Sequence, residues 1–342
     1  MAKIGIDKRS AVMLGTKLVA DGFNKNVSYR VQSHVHDDHL QDFSISLARM
    51  KKIFMTQETA DLYSIIGKDP TIHFRTKKGG NIQILKYNQK FQYEDFEVEL
   101  INSEHMLGSA QCFVEYNNGL KVGYSGDFSW PLEKVIEVDE LVVDSTYGSE
   151  ESVRNFEQDD AEQCLIELIN VNLSKPIIIK GHRGTIHRMM QLISSCMPDI
   201  PILVSKKYFK EIEIYNKYNY NISNYYDMMS DEGIYIRNNN QCYIQFLLWR
   251  DAKPTYPLDF TYIRLSGFLS KYGPMVHQEG NNDYDVCITD HADHEGILDY
   301  IIESKAKFVL TDPSRTNYEN AFKLARAIRV RLNIKSEPGE IN

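Results

Sequence analysis

The sequence predicts an α/β protein in two parts, a first domain from residues 1–150 and 266–342 and an inserted α/β unit at 151–265. Three observations lead there. Strand-like apolar runs dominate to about residue 145, several ending in histidine or aspartate. Beyond that point strand and helix patterns alternate. Finally, 146 residues separate Asp144 from His291, each closing an apolar run, and a stretch that long requires a packed unit rather than a loop. The 342 residues exceed one comfortable core, and two units fit the usual domain scale of about 100 to 200 residues. Hydrophobic residues make up 42% of the chain, enough to bury both.

Taken in order, residues 17–20 form a short apolar run that ends at Asp21-Gly22. Residues 27–31 read as a strand that spills into Ser33-His34-Val35-His36-Asp37-Asp38-His39. Three imidazoles and an acceptor carboxylate within six positions form a metal-binding pattern. On a loop, alternate residues point at neighbouring places, so His34 and His36 can serve one ion while Asp38 and His39 serve a second. Neutral imidazole and ionised carboxylate suit zinc or manganese at neutral pH. Two further runs end in potential ligands: residues 98–101 lead to Glu104-His105-Met106-Leu107-Gly108-Ser109-Ala110-Gln111, and residues 120–124 lead to Ser125-Gly126-Asp127.

In this order the elements resemble the metallo-β-lactamase superfamily, in which strand ends of an αββα sandwich hold a binuclear site with a shared aspartate. The resemblance implies two divalent metal ions, zinc first with manganese as the alternative. His34, His36, His105 and Asp127 hold one, and Asp38, His39 and the shared Asp127 hold the other. Leu141-Val142-Val143-Asp144, the long insert, and Thr289-Asp290-His291-Ala292-Asp293-His294 narrow the resemblance to the β-CASP branch, whose members cut DNA or RNA. The fold implied is a metallo-β-lactamase sandwich with a reduced β-CASP insert. The motifs look most like ligase-associated DNA exonucleases and, more distantly, Artemis-type DNA repair nucleases.

The resemblance places Asp144 and His291 at the branch's acid and histidine motifs. A carboxylate near an imidazole favours the imidazolium, which suits a general acid for an alcohol leaving group. Asp38, Asp144 and His291 are thus the catalytic candidates. Asp290 or Asp293 can instead cap a helix starting near His294. Asp21 matches an acid that orients ligand histidines in relatives. The last motif departs from the pattern: residues 307–311 end in Asp312-Pro313 where relatives carry a histidine, and Asp312 is either an oxygen ligand or part of a turn.

Inside the insert, residues 156–173 carry a helical apolar stripe. A strand at 176–180 and a helix at 186–195 flank the basic group Lys180, His182, Arg183, His187 and Arg188. That strand-to-helix junction is either a phosphate site or a solvated helix start. Lys206, Lys207, Arg237, Arg264 and Lys271 are further backbone-contact candidates. Residues 203–218 read as strand then helix, residues 216–226 as an irregular tyrosine-rich excursion, and residues 242–248 and 260–265 as strands returning the chain to the first domain. A helix at 318–332 closes the fold.

A net charge of −8 and a pI near 5.7 exclude a protein that coats phosphates broadly with positive charge, though not a nuclease with acidic metal loops. Cys112, Cys164, Cys196, Cys242 and Cys287 lack C-x-x-C spacing, which points to a reducing, cytoplasmic setting. No apolar run approaches the roughly 18 residues that span a bilayer, so no membrane partner is expected. The expected partner is nucleic acid, DNA ahead of RNA, and the expected activity is metal-dependent phosphodiester hydrolysis, exonucleolytic, in DNA repair. RNA processing is the alternative within the branch. A small-molecule metallohydrolase of the glyoxalase or lactamase type uses the same histidine loop but has no need of the insert.

Overall fold

A computed structural model describes residues 4–67, 69, 71–239, 242–253, 259–267 and 273–340. The chain forms two units, Met1–Val153 with His291–Asn342, and Arg154–Asp290. In the first, β1 (Ile4–Ile6), β2 (Val12–Leu14), β3 (Leu18–Ala20), β4 (Tyr29–Val31), β5 (Lys52–Met55) and β6 (Ile82–Ile84) make one sheet in chain order, with α1 (Phe43–Arg49), α2 (Gln57–Ile66) and α3 (Ile72–Arg75) in its crossovers. A second sheet starts with β7 (Phe91–Tyr93), β8 (Phe96–Asn102), β9 (Ala110–Tyr116), β10 (Lys121–Tyr124) and β11 (Glu140–Asp144).

The second unit contains α4 (Gln158–Asn170), β12 (Ile177–Gly181), α5 (Thr185–Cys196), β13 (Ile202–Val204), α6 (Lys206–Lys217), β14 (Tyr225–Asp227), α7 (Asp231–Asn239), β15 (Ile244–Leu248), β16 (Thr261–Leu265), β17 (Val276–Gln278) and β18 (Asp283–Val286). Its sheet runs β14-β13-β15-β12-β16-β18-β17, parallel except for β17. The first unit resumes with α8 (His294–Glu303), β19 (Phe308–Asp312), α9 (Tyr318–Ala327), a π-helical turn at Ile328–Leu332 and β20 (Lys335–Pro338). These complete the second sheet in the order β20-β19-β11-β10-β9-β8-β7.

Side-chain alternation explains the layering. Val98, Leu100, Cys112, Val114 and Val142 point to one face of the second sheet and share a core with Val12, Leu14, Leu18 and Val31 of the first. Their neighbours Ile101, Phe113, Leu141, Val143 and Val309 point the other way, against Ile297 and Ile301 of α8 and Leu324 of α9. Strands buried on both faces have to be apolar throughout, hence the unbroken run Leu141-Val142-Val143.

The insert extends further than expected. The expected return to the first domain at residue 266 comes only at His291, because β16 pairs in parallel with β18, Ile263 opposite Tyr284 and Leu265 opposite Val286. For the same reason β15 and β16 are not returning strands. They flank β12 as central members of the insert's own sheet.

Candidate metal centre

Every expected ligand lies at or just beyond a strand end of the first unit. β4 stops at Val31, and the His34–His39 loop is held from behind by a residue on that strand. The Arg30 side chain is fully buried and donates to the Gln32 amide oxygen, the carbonyls of Gly22, Gln41 and His39, and Ser46 Oγ, at 2.6–3.0 Å. Gln32 in turn donates to the carbonyls of His34 and His39 at 2.6 and 3.0 Å. A buried cation with its donors satisfied clamps a loop that has no regular structure of its own.

Two glycines allow the other ligand loops to approach. Gly108 sits at φ +84°, its carbonyl accepts from Thr56 Oγ1 and Thr59 Oγ1 at 2.9 Å each, and a side chain there would meet the Thr59 backbone. This fixes the turn that follows His105, whose backbone N–H donates to Ser109 Oγ at 3.2 Å. Gly126, at φ +58°, lies against the Ala110 carbonyl and presents Asp127 from the end of β10.

The first expected set converges. One donor atom each from His34, His36, His105 and Asp127 lies within 4.8 Å of all the others, and three of the four residues are buried. Asp127 Oδ2 is 3.6 Å from both His34 Nε2 and His105 Nε2, and His36 Nδ1 is 3.1 Å from His105 Nε2. Burial and the neighbouring His39 push the His34 imidazole well below its ordinary pKa, which keeps it neutral. Burial resists charge on Asp127, yet His39, His291 and His34 outweigh it and hold the carboxyl well below its usual range. His34 Nε2 is buried without a hydrogen-bond partner among the described residues, and such an atom is costly unless a partner completes it. A neutral His34 imidazole beside an ionised Asp127, with His36 and His105 converging on them, fits a divalent cation.

The second expected set fits poorly. His39 Nε2 does face Asp127 Oδ1 at 3.2 Å, but its Nδ1 is tied to Asp21 Oδ2 at 2.7 Å. Burial opposes charge on this ring, and the carboxylates Asp127 and Asp38 overcome it, raising its pKa to about 10. Asp38 has a half-exposed side chain 3.7 Å from His39 Nε2 and joins none of the converging groups. Asp312 is not turned toward a ligand position. Its Oδ1 accepts from Ser314 N and Oγ at 2.8 and 2.5 Å, and its Oδ2 pairs with Arg315 Nη1 at 2.5 Å. Among the described residues the set expected for a second ion does not converge as the first does; the other donor groups that lie together are Asp21, His34 and His39, and Asp127, Asp144 and His291.

Asp144 and His291 do meet. His291 Nδ1 is 2.9 Å from Asp144 Oδ2, and its Nε2 is 3.8 Å from Asp127 Oδ2. Asp144 Oδ1 accepts from Thr146 N and Oγ1 at 2.8 and 2.7 Å. Asp293, the alternative cap, accepts from Gly296 N at 2.9 Å and starts α8, leaving His291 outside the helix. Asp21 accepts from Ser33 N at 2.8 Å and from Ser33 Oγ as well as holding His39, so it orients the loop from behind.

No family model matches the chain. A relative described as an uncharacterized protein in the lig 3′ region of Acidianus ambivalens is 31% identical over 137 residues, covering 39% of this chain and 97% of that protein. An RNase J-like protein of Methanocaldococcus jannaschii is 28% identical over 219 residues, covering 57% of this chain and 51% of its own length. The chain belongs to the β-CASP branch of the metallo-β-lactamase superfamily. It spans about half the length of the RNase J-like member. A crystal structure of a protein of unknown function from Enterococcus faecalis V583 shares the fold, with a TM-score of 0.58 at 12% identity over 84% of this chain and 76% of that one.

For this β-CASP member the basic motif of the insert, open between a phosphate site and a solvated helix start, is engaged largely in internal pairs. Arg183 is buried and bonded to Glu211, Nε to Oε2 at 2.9 Å. Arg188 pairs with Glu162 and Asp290, Arg264 with Asp285 and Glu279, and Lys180 donates to the Asp251 carbonyl. Lys206 and Lys207 are exposed on α6, Arg237 lies in α7, and Lys271 falls outside the described residues. In the tyrosine-rich stretch, Tyr220 packs edge-on against buried Tyr215 at 4.7 Å, a packing role.

Sequence reasoning gave no role to Arg30, Gln32, Ser33, Thr146 or Arg315. One signal was visible for Arg30: a charge in the middle of an otherwise apolar strand, which has to be buried with partners.

Proposed function

We propose that the protein is a divalent-metal-dependent phosphodiesterase that hydrolyses polynucleotides, with DNA favoured over RNA and cutting from a strand end favoured over internal cutting. The observation that carries this reading is His291, held by Asp144 on one ring nitrogen and facing the His34, His36, His105 and Asp127 cluster with the other. When bound by those four residues, a divalent ion, zinc or manganese, supplies charge stabilisation on the phosphoryl oxygens and makes water more acidic. Asp144 accepts at Nδ1 and so directs Nε2 of His291 toward the reacting phosphate. As water oxygen joins phosphorus and gives up a proton to solvent, the bond to the leaving oxygen breaks and the His291 Nε2 proton passes to that oxygen, to be replaced from solvent. In this reading Asp38, at the half-exposed rim beside His39, orients the incoming water.

Support for DNA comes from Asp312 at the end of β19, where RNA-processing and ligase-associated members of the branch carry a histidine that Artemis-type DNA nucleases usually lack, and from the relative in a lig 3′ region. Support for a strand-end cutter is the resemblance to ligase-associated exonucleases. The RNase J-like relative supports RNA as the second reading. Incubation with labelled single-stranded DNA, duplex DNA and RNA, in zinc and in manganese, should give shortening from one end of DNA. Asp127→Ala should abolish both metal retention and cutting. Efficient hydrolysis of a thioester or lactam with every polynucleotide left intact would reject the proposal.

A further inference from the structure

We infer that the Arg315 guanidinium takes the place of a second divalent ion, so that the centre works with one metal ion and one fixed organic cation. This rests on the metal-dependent reading above and specifies its ion count. In the chain as folded, Arg315 is 4% exposed at the side chain. Its Nη1 bonds Asp312 Oδ2 at 2.5 Å and Ser314 Oγ at 2.9 Å, and its Nη2 bonds the carbonyls of Ser10 and Asp21 at 3.0 Å each. The guanidinium therefore lies directly behind Asp21, the residue that fixes His39, and against the strand-end acid that a second ion would need.

Charge and geometry agree. Both Asp312 oxygens are engaged, Oδ1 by two bonds from Ser314 and Oδ2 by the charged Arg315, so the carboxylate that would hold a second ion is already paired with a cation. Asp21, Asp127 and Asp312 already have a permanent positive charge among them, and Arg315 is held more firmly protonated than in water because Tyr124, Asp312, Asp21 and Asp127 outweigh its burial. Like charges repel strongly where water does not screen them, so a dication at Asp38 and His39 meets an unfavourable field. Arginine suits this place because its planar fork reaches a carboxylate and two carbonyls at once, which a lysine ammonium cannot do from one point.

The test counts ions without reference to turnover. The full-length chain is loaded with Mn(II), desalted and measured by native mass spectrometry and electron paramagnetic resonance. Wild type should retain one ion and give the spectrum of an isolated Mn(II). Arg315→Ala should take up a second ion and show a spin-coupled pair, whereas Arg315→Lys, which keeps a cation, should stay at one. Because Arg315→Ala leaves Asp312 buried without its partner, Arg315→Gln, which keeps a donor beside Asp312 but carries no charge, is measured alongside it, and it too should bind two. Two ions in wild type, or one ion in both cation-free forms, overturns the inference. A two-ion wild type that still cuts DNA defeats this inference alone, and a one-ion protein that cuts no polynucleotide defeats the proposed function alone.

Discussion

The first unit and the insert each bury a cluster of polar side chains, and the two clusters are built to opposite ends. In the first unit, His34, His36, His105 and Asp127 bring donor atoms together at strand ends, with His34 Nε2 left unbonded. In the insert, Arg183 and Glu211 satisfy each other, and His187 stacks flat on Tyr215 at 4.0 Å, 2° from parallel. The first gathers several donors around one carboxylate, whereas in the second, among the described residues, the only carboxylate, Glu211, is taken up by Arg183 and the unbonded nitrogens of His187 have no further donors converging on them. The difference teaches that basic density is a poor guide to a phosphate site. Lys180 to Arg188 is the densest basic group beside a strand-to-helix junction, yet its best-placed guanidinium is spent inside the fold.

The sharpest way to break the contrast is His291→Ala. If the first cluster is chemical, turnover should drop by about 10²- to 10⁴-fold, the usual contribution of a positioned acid. Stability should hardly change, because Asp144 keeps its bonds from Thr146 N and Oγ1. Full-rate cutting by this variant would remove His291 from the mechanism. A large drop in melting temperature would instead make it a structural residue.

Why one cluster was legible and the other was not follows from what sequence spacing encodes. Ligands at strand ends sit within a few residues of apolar runs, so His34, His36, His105, Asp127, Asp144 and His291 could be picked out by position. The sandwich layers were legible for the same reason, since alternation along residues 98–102 and 110–116 marks two faces. Counter-charges carry no such mark. Glu211 lies 28 residues from Arg183, and Arg315 lies 294 from Asp21, so the partners that neutralise one site and fill the other come from elements with no local signature. The late return at His291 was missed for a related reason: parallel strands pair across long crossovers, and nothing in residues 260–265 says which sheet they join.

A second way to sharpen the comparison removes one side of the closed pair. Arg183→Met leaves Glu211 fully buried and uncompensated, which should destabilise the chain by roughly 3–5 kcal/mol in denaturant titrations. Metal content of the folded fraction should be unchanged, since every donor belongs to the first unit. Adding Glu211→Leu should recover most of the loss. An Arg183→Met protein of normal stability but weaker DNA binding would return Arg183 to the phosphate-contact role.

The smallest effect is a pH dependence specific to the insert. Burial, and then the nearby Arg183 charge, lower the His187 pKa from 6.5 to about 3. Above pH 6.5 the ring is neutral whether the chain is folded or not, and the stability it permits is fully present. Below pH 6.5 the unfolded chain takes up a proton that the folded one refuses, so stability falls with falling pH by at most about 1.4 kcal/mol per unit until the folded ring titrates. Carboxylates elsewhere also titrate in acid, so the quantity to read is the difference between wild type and His187→Phe, a ring that can keep the stack on Tyr215. Denaturation series from pH 7 to pH 4 should show a shallower acid slope for the variant. Equal slopes would mean that Glu211, 3.8 Å from His187 Nε2, already shares a proton with the ring in the folded state.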